Sequence, residues 1–229
     1  MTMQAVLTDI EGTTTPLSFV HDVLFPYARQ RLDAACASGE PQFADALRAL
    51  QEEYAAEAAD PSLPAFGNGA PYAHWLMDRD RKSTGLKMLQ GILWEAGYLS
   101  GELLGQVYPD VADALRVWKE RGIRVRVFSS GSILAQELLF GHSDQGDLLP
   151  YFEGFHDTTT GPKQVAASYT AIAAAFVLPA GEILFLSDVT AELDAARDAG
   201  MQTGLFLRPG NRPAEPNGHA VHRSFAELL

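Results

Sequence analysis

The sequence predicts an α/β fold: a doubly wound parallel sheet interrupted once by an all-helical segment. Three observations predict it. Short apolar runs of strand length alternate with helix-length segments beyond residue 109. Three of the strand-like runs end in polar side chains, at Asp9, Ser129 and Asp188. From about residue 16 to residue 108 the apolar positions recur at helical spacing and no strand-like run intervenes.

Ala5-Val6-Leu7-Thr8 is apolar until Asp9, then breaks into Gly12 and a run of threonines, which reads as a buried strand with a carboxylate at its tip. Phe19 to Cys36 places Val20, Val23, Leu24, Tyr27 and Leu32 at helical spacing. Pro41 to Ala58 is a second helix, rich in Ala, Leu and Glu. Asp60 to Pro71 holds three prolines and two glycines and reads as a loop. Tyr72 to Arg79 and Thr84 to Ala96 are two more helices, with Met77 and Met88 expected in the core.

Asp110 to Arg121 is helical, with Val111, Leu115 and Trp118 on one face and Gly122 as its stop. Ile123 to Phe128 is strand-like and ends at Ser129-Ser130-Gly131-Ser132. Ile133 to Phe140 is helical, Gly154-Phe155-His156 a short strand, and Lys163 to Phe176 a helix. Ile183 to Leu186 is a strand ending at Ser187-Asp188; Ala191 to Ala199 is a helix stopped by Gly200; Thr203 to Leu207 is the last strand. The expected division is an α/β core at 1–15 and 109–229 and a helical insert at 16–108.

Composition narrows the function. Lys and Arg number 17 against 29 Asp and Glu, a net charge of −12, so most of the surface repels a nucleic-acid backbone. Cys36 is the single cysteine; it allows no intrachain disulfide, fits a reducing compartment and reads as a small buried side chain. The longest clean apolar run, Ala171 to Leu178, is far short of the ~18 residues of a spanning helix. The first residues lack the basic stretch of an export signal. A cytoplasmic protein with no membrane partner is expected.

In open α/β sheets ligands bind beyond the carboxyl ends of the strands, so Asp9, Ser129 and Asp188 share one expected crevice. Oxygen donors of this kind suit Mg²⁺, which takes one or two carboxylates plus substrate phosphate. Asp9-Ile10-Glu11-Gly12-Thr13-Thr14 adds a second acid two residues on. A carboxylate nucleophile beside an acid/base residue suits phosphoryl transfer, but like charges at 4 Å repel by about 4 kcal/mol at an effective dielectric of 20. Cations are therefore needed, and Lys163 and Mg²⁺ are the candidates. The bland readings are an acidic helix cap for Asp9 and Glu11, a helix cap for Ser129 and Ser130, and helix surface for Glu192 and Asp194; Glu192 could instead support the site from behind its ligands.

These residues resemble the motifs of the haloacid dehalogenase superfamily of phosphotransferases. Asp9 to Thr14 is similar to the first motif, Phe128-Ser129-Ser130-Gly131-Ser132 to the second, Gly161-Pro162-Lys163 to the third and Leu184 to Val189 to the fourth. Most phosphatases of the superfamily carry a second Asp where this chain has Glu11; the enolase-phosphatases of methionine salvage carry Glu. Asp80-Arg81-Lys82 through Lys87-Met88-Leu89-Gln90-Gly91 to Trp94 resembles that family's helical cap, and Leu139 to Ser143 and Arg208-Pro209-Gly210-Asn211 also look familial.

The resemblance implies a Rossmann-like core and a bifunctional enzyme. It would convert 2,3-diketo-5-methylthiopentyl 1-phosphate to acireductone (1,2-dihydroxy-3-keto-5-methylthiopentene) and phosphate, with one Mg²⁺ per subunit, as a monomer. Asp9 would form an aspartyl-phosphate and bind Mg²⁺ through its other oxygen. Glu11 would be the acid/base residue and contribute to the metal site by side chain or main chain; it is also the candidate base for the enolisation. Asp188 would complete the protein ligands. Ser129 and Ser130 would bond the phosphoryl oxygens, and Lys163 would pair with Asp9 and the phosphate. The insert would be a lid, with Arg81, Lys82 and Lys87 as candidate substrate contacts; His74, Trp75 and Trp94 read as packing, and His21 as a residue near the first motif. The alternative is another capped phosphatase of the superfamily, acting on a small sugar phosphate or phosphoglycolate. No G-x-x-x-x-G-K-[ST], G-x-S-x-G or H-E-x-x-H run is present, which excludes P-loop, α/β-hydrolase and zincin chemistry.

Overall fold

A computed structural model describes residues 3–229. Its sheet has six parallel strands: β1 (Ala5–Thr8), β2 (Arg124–Phe128), β3 (Gly154–His156), β4 (Ile183–Ser187), β5 (Gln202–Phe206) and β6 (Ala220–His222). Their order is β3-β2-β1-β4-β5-β6, the doubly wound arrangement expected. β1 is central: Thr8 lies level with Val127 on one side and Leu186 on the other, so the residues after all three strands emerge together. The order reverses beside β1, where such sheets open a crevice at their carboxyl ends.

The chain divides into two compact units, one of residues up to Val20 with Leu104–Leu229 and one of His21–Leu103. The divisions fall a few residues inside the expected limits. Gly105 donates its N–H to His142 O at 2.8 Å and Val107 to Asp144 Oδ1 at 3.0 Å, which fastens 104–108 to the sheet-bearing unit.

In the sheet-bearing unit, β1 alternates its side chains between faces. Ala5 and Leu7 pack with Phe185, Leu205 and the apolar sides of α8 (Ala166–Phe176) and α9 (Thr190–Asp198). α6 (Pro109–Glu120) sets Trp118 against Phe225 of the C-terminal turn, and α7 (Ile133–Gly141) is capped by Ser132, whose Oγ accepts from Ala135 N–H. The capping role weighed for Ser129 and Ser130 thus falls to Ser132.

The helical unit holds α2 (Phe25–Ala37), α3 (Ala44–Ala56), α4 (Ala70–Asp78) and α5 (Thr84–Ser100), packed around Leu32, Leu50, Tyr72, Leu76, Leu89 and Leu93. Ser83 caps α5 through Leu86 N–H, and Glu53 Oε1 accepts from Thr84 and Gly85 N–H. Cys36 is buried in this cluster, as expected, and burial pushes its thiol up to about 11. Trp94 Nε1 donates to Leu24 O, a packing role. Met88 is 38% exposed and not core, since it falls on the outer side of α5.

The helix expected from Phe19 to Cys36 is in fact three pieces: α1 (Leu17–Phe19), a π-helical turn at Val20–Leu24, and α2. Pro26, in the first turn of α2, has no N–H to continue an α-helical ladder across the join. α4 begins at Ala70 and takes Pro71 into its first turn, where proline is tolerated. α8 begins at Ala166, so Lys163 precedes the helix rather than opening it; Gly161 at φ 142° and Pro162 keep that stretch in a loop. β6 was not foreseen, because three residues after a Pro/Gly-rich turn carry no readable alternation. Among the described residues no helix is long and apolar enough to cross a membrane.

Candidate active site

The site begins where β1 ends. Asp9 N–H donates to Leu186 O at 2.9 Å, which seats the residue beside β4. The chain then turns back at once: Thr13, Thr14 and Thr15 N–H all point at Ile10 O, and Gly12 N–H bonds Thr15 O. Gly12 adopts φ 70°, a conformation glycine takes at no steric cost. Space demands glycine as well, because a Cβ there would lie 2.3 Å from Asp188 Oδ2. The turn of the first motif therefore rests directly on the acid at the tip of β4.

Lys163 reaches this point from the loop before α8. Its Nζ lies 2.6 Å from Asp9 Oδ1 and 2.6 Å from Glu192 Oε2. Its main chain is held in place by Tyr169, whose hydroxyl donates to Lys163 O at 2.7 Å. Glu192, for which helix surface was favoured over a supporting role, is buried; Ser187 Oγ donates to its Oε2 at 3.0 Å. The sequence signal was its place one turn beyond Asp188, but the sign of its partner lay in a distant loop. Asp194 lies outside this group and binds Arg197, Asn217 and His219.

The charges do not balance within this group. Burial raises Asp188 to about 7, and the neighbouring Asp9 and Glu192 add to the shift more than Lys163 subtracts. Burial also raises Glu192, with Asp9 adding to it. Burial alone would lower Lys163, but Asp9 and Glu192 reverse this and push it up to about 12. A lysine held charged between the buried Asp9 and Glu192, with the half-buried Asp188 near them, leaves negative charge over, and every donor is oxygen. That donor chemistry fits a hard divalent cation. Among the described residues no three His, Cys, Asp or Glu side chains are gathered so as to hold a metal ion. Asp9 and Asp188 are thus not gathered with the Glu11 carboxylate into a three-acid cluster.

The remaining expected residues surround this centre in different ways. Ser129 is buried just past β2, its N–H bonded to His156 O and its Oγ accepting from Gly131 N–H. Its hydroxyl proton remains available to an acceptor. Ser130 is exposed and Glu11 half-buried. Gln136 was not singled out, yet its Nε2 bonds both Gly131 O and His156 O and so fixes the second-motif loop.

In the helical unit, Arg81 pairs with Glu57 and lies over the Trp75 ring, Lys82 is exposed, and Lys87 is half-buried. His74 pairs with Asp33, and His21 lies near the Phe25 ring. Arg81 therefore has a structural occupation.

A family model of haloacid dehalogenase-like hydrolases matches residues 3–200. A protein of Synechococcus elongatus named enolase-phosphatase E1 is 49% identical, covering 100% of this chain and 98% of its own. Proteins of the same name from Pseudomonas aeruginosa and Methylococcus capsulatus are 51% and 50% identical over 99% or more of both chains. The solved structure of the UTR4 protein from Saccharomyces cerevisiae superposes with a TM-score of 0.78 at 34% identity, covering 97% of this chain and 98% of that one. CbbY from Rhodobacter sphaeroides, solved with phosphate, shares the fold at a TM-score of 0.61 and 20% identity, over 99% and 96% of the two chains. On a match this long and on four motifs meeting at one sheet edge, the chain belongs to the haloacid dehalogenase-like hydrolases and, among them, to the enolase-phosphatase E1 family.

Proposed function

We propose that this chain is a bifunctional enolase-phosphatase of methionine salvage. It enolises 2,3-diketo-5-methylthiopentyl 1-phosphate and then removes the phosphate to give acireductone. The observation that carries the reading is the buried Asp9–Lys163 pair, 2.6 Å apart, beside Asp188 at the switch point of the sheet. It acts as a cytoplasmic monomer on this small phosphorylated diketone, with neither nucleic acid nor membrane as partner.

Asp9 attacks phosphorus in line and becomes the aspartyl-phosphate. Lys163 holds Asp9 Oδ1, so the carboxylate is oriented before substrate arrives, and its charge then follows the phosphoryl group. Glu11 protonates the leaving oxygen, then takes a proton from the water that attacks the aspartyl-phosphate. Ser129 and Ser130 donate to the phosphoryl oxygens. The carboxylates of Asp9 and Asp188 and the main chain of Glu11 would hold one Mg²⁺. When bound, the ion supplies the positive charge that lets a phosphate dianion meet a carboxylate and polarises the carbonyl for enolisation. Glu11 is the candidate for taking the proton in that step. The sheet-bearing unit carries the chemistry, and the helical cap, expected at 16–108 and compact over His21–Leu103, sets which substrate is accepted.

The test is phosphate release and enol formation from the diketone phosphate. Asp9→Asn is expected to abolish phosphate release, and Glu11→Ala to lose both steps. Full phosphate release by Asp9→Asn would remove the covalent mechanism. Equal turnover of phosphoglycolate or a sugar phosphate would overturn the choice of substrate.

A further inference from the structure

The turn after β1 leaves main-chain carbonyls that the sheet does not use, and other segments supply their donors. Arg208 Nε donates to Thr13 O at 3.2 Å and Tyr108 N–H to Thr14 O at 3.0 Å. Asn211 Nδ2 donates to Gly12 O at 2.9 Å. Arg208 is otherwise committed: its guanidinium grips both oxygens of Asp110 and lies over the rings of Tyr108 and Phe206. Asn211 is not. Its Nδ2 also bonds Phe206 O at 3.3 Å, and these two bonds settle which way the amide points.

The amide oxygen therefore faces the other way. Asn211 Oδ1 is buried and has no hydrogen-bond partner. A buried acceptor left so costs about 1–3 kcal/mol, which calls for a reason. Its position supplies one. The point that a Cβ of residue 12 would occupy lies 3.0 Å from Asn211 Oδ1 and 2.3 Å from Asp188 Oδ2. The spare acceptor and the Asp188 carboxylate thus border the same small space above Gly12. A carboxylate that holds a cation is ionised and cannot donate to an amide oxygen, so with the cation in place the donor arrives with what Asp188 binds.

We infer that Asn211 is a positioning residue for the divalent cation: Oδ1 accepts a hydrogen bond from a water that the cation carries, while Nδ2 fixes the Gly12 turn between Asp9 and Asp188. The inference rests on the reading of Asp9 and Asp188 as ligands of that cation. Hydrogen-bond partners one step removed from a metal typically govern 10–100-fold of its affinity.

Mn²⁺ binding to the full chain, read from the electron-spin-resonance signal of free Mn²⁺, tests this without turnover. Asn211→Ala is expected to bind Mn²⁺ roughly tenfold more weakly or worse. Its KM for the phosphorylated substrate stays near wild type, and its kcat at low Mg²⁺ falls but recovers as Mg²⁺ is raised. A merely structural role would not give that recovery. Asn211→Asp keeps an acceptor in place of Oδ1 but sets a second oxygen against Gly12 O and Phe206 O, where Nδ2 donated, so it is expected to bind Mn²⁺ more tightly than Asn211→Ala but more weakly than the wild-type chain. Should Asn211→Ala not fold, Asn211→Gln, which keeps an amide oxygen and an amide N–H but displaces both on a longer arm, carries the test; weaker Mn²⁺ binding is expected there, and binding equal to wild type overturns the inference. Asp188→Asn separates the two levels. If it loses Mn²⁺ while Asn211→Ala binds as wild type, the role of Asn211 falls alone; if both bind as wild type, the cation reading falls with it.

Discussion

Replacing Lys163 with Gln removes the ammonium that two buried carboxylates share. The structure sets the scale. Nζ lies 2.6 Å from an oxygen of each acid, and the three side chains are exposed by only 10%, 7% and 11%. At an effective dielectric of 20 each contact is worth about 6 kcal/mol of Coulomb attraction before the cost of desolvation. Removing one partner of such a buried cluster typically costs about 3–5 kcal/mol. The loss has a pH signature. Asp188 and Glu192 already sit above the ordinary carboxylate range, and without Lys163 the acids rise further. A group raised in the folded state stabilises fully below its unfolded pKa, and that stability is lost as pH rises through the folded value. Urea unfolding of the metal-free variant at pH 8 is therefore expected to show the full deficit, and at pH 5 most of it is expected to vanish. A deficit below about 1 kcal/mol at pH 8, or an equal deficit at both pH values, would refute the charge argument.

Other predictions are simpler. Gly12→Ala adds about 1–2 kcal/mol of left-handed backbone strain and pushes a methyl at Asp188 Oδ2, so Mn²⁺ affinity and turnover are expected to fall together. Gly85→Ala raises helix propensity, yet its Cβ would lie 2.5 Å from Leu50 N and 2.9 Å from Ala46 O. Separating α3 from α5 is expected to cost about 1–3 kcal/mol by denaturant melt, and a gain in stability would contradict the packing. Cys36 is buried with its thiol near 11, so it is expected to resist an aromatic disulfide reagent at pH 8 until the chain is unfolded; fast reaction of native protein would count against its burial.

The acids at the strand tips were legible because strand and carboxylate adjoin in the sequence. Ala5 to Thr8 and Ile183 to Ser187 are short apolar runs followed at once by Asp9 and Asp188, and a parallel sheet puts both tips on one edge. Lys163 was legible as a residue and misjudged in setting, since Gly161 and Pro162 hold it in a loop ahead of α8. Glu192 was half legible: its place one turn beyond Asp188 allowed a supporting role, though a surface position was favoured. On α9 it looks like any surface glutamate, and only Lys163 arriving from another segment makes its burial tolerable. Asn211 follows the same rule: its motif was visible, but its donors and its spare oxygen take meaning only from Gly12 beside it. The π-helical turn at Val20–Leu24 escaped notice because apolar spacing hardly differs between α- and π-helical windings over a single turn.

The central place of β1 has a consequence for how the chain is made. β1 leaves the ribosome ahead of its hydrogen-bonding neighbours, β2 and β4, which begin only at Arg124 and Ile183. Until β2 is translated it is an apolar strand with both edges bare, a shape prone to stick to other nascent chains. The helical segment that follows carries a hydrophobic cluster of its own and can collapse meanwhile. A charged substitution in Ala5–Thr8 that the finished sheet could absorb would thus still alter yield in the cell, through the interval before its partners exist.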